Sequence, residues 1–129
     1  MTAATSRPSC QVAVDVGVLP GTLGRWCLDW HGPIGSGHTR YLDPDDIRVA
    51  RAWRALSHAT AKNHPVATTA RQIVEHAIRR RPEGRYVVYG VTEGYATTVD
   101  TPADVVTTAA AEGLRCVGVI DLDPSGAVA

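Results

Sequence analysis

Thr22 and Arg25 carry the first chemical suggestion, in the run Pro20-Gly21-Thr22-Leu23-Gly24-Arg25-Trp26. An arginine guanidinium forks two hydrogen bonds to O6 and N7 of guanine, and a threonine meets a phosphate or a thymine methyl. The plain alternative is that Arg25 is a solvated side chain. Arg48, Arg51 and Arg54 add positive charge further on, to meet phosphate or simply to solvate a helix face. Arg79-Arg80-Arg81 is a compact basic run, and complementing the negative end of a helix dipole is a sufficient account of it. Cys27 and His31 stand four apart, with His38 nearby, but structural zinc takes four ligands, so neither metal nor cofactor is expected. Asp121 and Asp123 have no evident base or nucleophile beside them, and no Gly-x-Ser-x-Gly, phosphate loop or His-Glu-x-x-His occurs. The sequence therefore does not suggest an enzyme.

The 129 residues are 44% apolar and contain no Phe, so a core rests on Val, Ala, Leu, Ile and three Trp. The net charge of zero hides an asymmetry. Residues 1–85 hold 12 Lys/Arg against 7 Asp/Glu, a net of +5, and residues 86–129 hold 1 against 6, a net of −5. A phosphate-facing part, if there is one, is the first. Three widely spaced cysteines fit a reducing cytoplasm better than a disulfide framework. Neither a signal peptide nor a membrane span is expected.

The elements that would position these side chains divide at Pro82-Glu83-Gly84. Residues 1–8 and 124–129 read as loose tails. Residues 10–16 form a short helix capped by Ser9 and ended by Gly17, with Val18 as an apolar plug, and residues 20–29 form a second. Two short helices about a glycine turn are a helix-turn-helix pattern. Residues 31–41, with three Gly and one Pro, read as a hairpin wing ending in Thr39-Arg40-Tyr41. Asp43-Pro44-Asp45-Asp46 starts a helix to about Thr60, and Pro65 starts another to about Arg81. Trp26 and Tyr41 are expected in the core, and His58, His64 and His76 on or near the surface. After the break, 86–89 and 95–99 read as strands, Thr101 caps a helix that stops at Gly113, and the apolar run 116–120 reads as a strand covered on both faces. Tyr86, Tyr89 and Tyr95 line a surface or pack the sheet. The expected class is α+β: a winged helix-turn-helix with following helices over 9–82, then a small ββαβ domain over 85–123.

Four pieces in order give a resemblance: Gly17-Val18; Pro20-Gly21-Thr22-Leu23-Gly24-Arg25-Trp26; Gly37-His38-Thr39-Arg40-Tyr41; and Asp43-Pro44-Asp45-Asp46-Ile47. Together, Cys10 to Leu56 resembles the winged helix-turn-helix of the MerR family of transcription regulators. The resemblance implies a sequence-specific regulator that reads double-stranded DNA, as a homodimer on a two-fold site. It implies DNA contacts at Thr22, Arg25, His38, Thr39, Arg40 and Arg48, with Arg40 against the backbone or minor groove. Arg40 could instead pair with Asp43 or Asp45 and fix its loop. Two departures stand out. Gly21 and Gly24 occupy positions where the family usually carries basic residues, and the long dimerising helix is absent. A dimer must then use the 65–81 helix or the C-terminal sheet, the latter also a place for a protein or small-molecule effector. Two other readings compete: an architectural protein like the phage excisionases, and a winged module that binds protein and no longer DNA.

Overall fold

A computed structural model describes residues 6–35, 39–59 and 65–123. The described elements are β1 (Arg7–Pro8), α1 (Ser9–Val16), α2 (Pro20–His31), β2 (Tyr41–Leu42), α3 (Pro44–Ala59), α4 (Pro65–Arg80), β3 (Tyr86–Gly90), β4 (Tyr95–Val99), α5 (Pro102–Ala111) and β5 (Gly118–Asp121). Helices and antiparallel strands coexist, so the class is mixed α+β.

Local chemistry sets most of the boundaries. α1 ends at Gly17, whose φ of 88° lies in the left-handed region, and its N–H returns to Ala13 O at 2.9 Å. Pro20 opens α2, where its missing N–H costs nothing. α3 opens on a reciprocal pair: Asp46 N donates to Asp43 Oδ1 at 2.8 Å, and Asp43 N donates to Asp46 Oδ2 at 3.3 Å. Thr101 Oγ1 accepts from Asp104 N at 3.1 Å at the start of α5.

The N-terminal tail ends sooner than the sequence suggests. Arg7–Pro8 pairs antiparallel with Tyr41–Leu42, Arg7 opposite Leu42 and Pro8 opposite Tyr41. The chain therefore enters α1 extended. Pro8 takes the N-cap position without a side-chain cap bond, while the N–H of Ser9 goes to Arg40 O at 2.9 Å. Ser9 is thus not the cap expected of it. β2 finds its partner at the N-terminus, and residues 32–35 and 39–40 form no strand. Tyr41 is not a core residue: it is 61% exposed, while its neighbour Leu42 is fully buried.

The break at Pro82–Gly84 changes the secondary structure but not the core. One cluster contains Val12, Leu23 and Trp26 from the first half with Val87, Ile120 and Leu122 from the second. α4 packs on both β3 and β4. A Cβ at Gly84 would lie 2.6 Å from Thr98 Cβ, so the glycine lets the chain pass close to β4 as it leaves α4.

The second sheet has the order β4-β3-β5, with both pairings antiparallel. β4 and β5 therefore run parallel, joined by α5. Val87, Thr98 and Ile120 stand in register on the face toward α3 and α4, and Val88, Thr97 and Val119 on the other. α5 lies against β3 yet buries none of its own residues. β5 is an edge strand, and Val117 and Val119 are 41% and 50% exposed. Among the described residues the apolar run 116–120 thus lies at an open edge, without the two-sided cover expected of it, and only from Gly118 is it a strand. Tyr89 lies over Gly118, where a Cβ would fall inside its ring.

Candidate nucleic-acid interface

Three tryptophans hold α2 against the rest of the molecule. Trp53 meets Trp26 edge-on, with centroids 5.6 Å apart at 76°, and Trp30 at 5.2 Å and 70°. Trp53 Nε1 donates to Arg71 O at 3.1 Å. Cations from α4 cover the cluster: the Arg71 guanidinium lies 5.4 Å from the Trp53 centroid, and that of Arg79 5.7 Å from Trp30.

A buried carboxylate secures the C-terminal end of α2. Asp46 is 3% exposed, and its Oδ1 lies 2.9 Å from both His31 Nε2 and Arg79 Nη2. Arg79 also donates to Glu75 at 2.9 Å. Burial disfavours the Arg79 cation, but its bonds to Glu75 and Asp46 outweigh that and raise its pKa. The geometry therefore joins α2, α3 and α4 through one acid, a role beyond the helix start at which the sequence places it.

With α2 fixed, its free face carries Gly21, Gly24, Arg25 and Leu28, all exposed. These line a shallow concavity together with Ser9, Cys10, Ile34, Thr39 and Arg40. Of the six sequence candidates, Arg25, Thr39 and Arg40 are therefore brought to one place. Arg40 is half-buried, and its Nη2 donates to Gly32 O at 2.6 Å. It thus braces the loop after α2, through a carbonyl and not through Asp43 or Asp45.

The remaining candidates lie elsewhere. Thr22 is half-buried and does not line the concavity. Arg48 turns toward the C-terminal half, and its Nη2 donates to Gly84 O. Burial pushes the Arg48 pKa down, as expected of a cation withdrawn from water. Arg51 and Arg54 line a different recess with Asp15, Asp121 and Asp123, and Arg54 Nε donates to Gly17 O at 3.2 Å. His38 lies outside the described residues, as do the side chains of His58 and His64.

Sequence reasoning missed the apolar lining. Leu28 is 51% and Ile34 44% exposed. The signal was present for Leu28: positions 21, 24, 25 and 28 fall on one helical stripe. Cys27 beneath it is buried, and burial pushes its thiol pKa up, which makes it a poor ligand or nucleophile. No group of three or more His, Cys, Asp or Glu is arranged to hold a metal ion among the described residues. No described helix is long and apolar enough to cross a membrane.

The two glycines of this stripe have no internal explanation. Neither has positive φ, and a Cβ at either would meet nothing within 4 Å. Glycine in a helix interior costs about 1 kcal/mol relative to alanine. Gly24→Ala is therefore expected to raise the unfolding free energy by roughly 0.5–1 kcal/mol, read as a higher urea midpoint at unchanged slope.

Compared with family models, with curated proteins and with solved structures, the chain finds no match. The reading of function rests on the site alone.

Proposed function

We propose that the chain is a DNA-binding regulator whose α2 stripe and adjoining Arg40 meet a duplex. The observation that carries this reading is the meeting of Arg25, Thr39 and Arg40 on one open concavity beside the free face of α2. Arg25 is exposed, with no hydrogen-bond or salt-bridge partner among the described residues, and takes the base-reading role. Arg40, fixed to Gly32 O, takes the phosphate role. Gly21 and Gly24 leave room for a sugar-phosphate backbone to approach the helix closely. A winged module of MerR type reading half of a two-fold site accommodates these roles, with residues 86–121 available for pairing or for an effector.

Selection of bound sequences from a random duplex library tests the assignment. Arg25→Ala is expected to flatten the base preference at one or two positions, and Arg40→Ala to weaken all sequences about equally. Recovery of the same preference with Arg25→Ala would refute the base-reading role. Gly24→Ala, although more stable, is expected to bind DNA more weakly, because its methyl enters the concavity.

A second reading is favoured by the exposed Leu28 and Ile34. A surface with two arginines among Cys10, Leu28 and Ile34 suits an apolar peptide with an acidic flank. Affinity for a protein, with none for duplex even at low salt, would favour it.

A further inference from the structure

The two edges of the second sheet are treated differently. At β4, Arg81 Nη1 donates to Thr98 O at 2.6 Å, and Thr98 Oγ1 donates to Arg81 O at 2.6 Å. The end of α4 thereby engages that edge. The outer edge of β5 has no partner strand among the described residues. Sheet edges are commonly kept apart by lysine, proline or a covering element. The run Val117-Gly118-Val119-Ile120 has neither residue type. α5 lies against β3 and leaves Val117 and Val119 open, with its own Val106 70% exposed.

The sequence of this edge complements itself. Arg115-Cys116-Val117-Gly118-Val119-Ile120-Asp121 is chemically symmetric about Gly118. On an antiparallel second copy with Gly118 opposite Gly118, Val117, the residue before β5, faces Val119, while Cys116 and Arg115, in the bend before the strand, face Ile120 and Asp121. Apolar groups meet apolar groups and a cation meets an anion, the pairs that stabilise adjacent strands. A slip of one residue would set the exposed valines against the core-facing Gly118 and Ile120 positions and lose the match. Asp121 already accepts from Arg85 at 3.0 Å and 3.1 Å, which holds its carboxylate at the strand end.

We propose that residues 115–121, β5 together with the bend that leads into it, pair with the same residues of a second copy about Gly118, the bend drawing out to continue the strand and the three-stranded sheet extending to six strands. This inference stands apart from the DNA reading, and it supplies the second half-site reader that reading needs. The strand is short. A pairing this short is small beside the interfaces of stable dimers, so the dimer is weak.

Sedimentation equilibrium without DNA, up to about 500 μM chain, tests it. The wild type is expected to shift from monomer to dimer with concentration. Val117→Lys alone and Val119→Glu alone are expected to stay monomeric. The double variant Val117→Lys/Val119→Glu is expected to dimerise again, because each lysine then faces a glutamate of the other copy. All these positions are exposed, and circular dichroism and the thermal midpoint verify folding. A wild type monomeric throughout, a dimer indifferent to Val119→Glu, or a double variant that stays monomeric would overturn the proposal. A dimer that pairs as described but has no affinity for duplex supports this interface and counts against the DNA reading alone.

Discussion

Trp53→Ala is expected to cost about 3–5 kcal/mol, the range for removing a buried aromatic ring. Trp53 is 4% exposed and touches both other tryptophans edge-on. Its loss takes away two aromatic contacts and the face that Arg71 covers at 5.4 Å. It also removes the donor to Arg71 O. The remaining rings sit on α2, so closing the cavity would move the candidate interface. Set against the roughly 5–15 kcal/mol that holds small domains together, the loss is large. Urea denaturation followed by tryptophan fluorescence, with Trp53→Phe as a milder control, measures it. A loss below about 1 kcal/mol would show that the cluster does not hold α2.

Asp46→Ala is expected to cost about 2–3 kcal/mol. Removing one member of a buried ion pair commonly costs 3–5 kcal/mol, because the partner is left buried and unpaired. Here the partners have other recourse. Arg79 keeps Glu75 at 2.9 Å, and the His31 side chain is 37% exposed and regains water. The backbone N–H of Asp43 loses its acceptor as well, worth about 1 kcal/mol as a cap. Asp46→Asn, which keeps an acceptor but removes the charge, is expected to fall between wild type and Asp46→Ala. Equal losses for the two variants would place the whole effect in the charge; no loss in either would remove the acid from the account.

These two side chains also mark how far the sequence could be read. The start of α3 was legible because Asp43-Pro44-Asp45-Asp46 is local chemistry: a cap, a first-turn proline and acids at the positive end of a helix. That the same Asp46 is buried and joins three helices was not legible, since His31 and Arg79 reach it from distant parts of the chain. Gly17 and Thr101 were likewise readable from their neighbours. β1 was not, because a two-residue strand at Arg7–Pro8 exists only through Tyr41–Leu42. The apolar run at 116–120 was read as a strand, but only from Gly118 onward is it one, and it was read wrongly as enclosed. An edge and a buried strand look alike until the neighbour count is known.

The candidate site divides in the same way. Arg25 was legible as an exposed cation on α2. The destinations of Arg40 and Arg48 depend on carbonyls at Gly32 and Gly84, which no local pattern announces. Removing Arg48, Arg51 and Arg54 from the concavity also lowers the number of phosphates each copy can neutralise.

The salt dependence of duplex binding tests the central claim most directly. Fluorescence anisotropy with a labelled random duplex, from about 25 to 200 mM salt, compares wild type with Arg25→Glu and Arg40→Glu. With Arg40 as the phosphate contact and Arg25 on the bases, the logarithm of affinity should fall against the logarithm of salt with a slope of about −1 per bound copy. Both variants should bind more weakly, and Arg40→Glu should flatten the slope. Wild-type binding that is undetectable at the lowest salt, or that both substitutions leave unchanged, would contradict a duplex seated on this face.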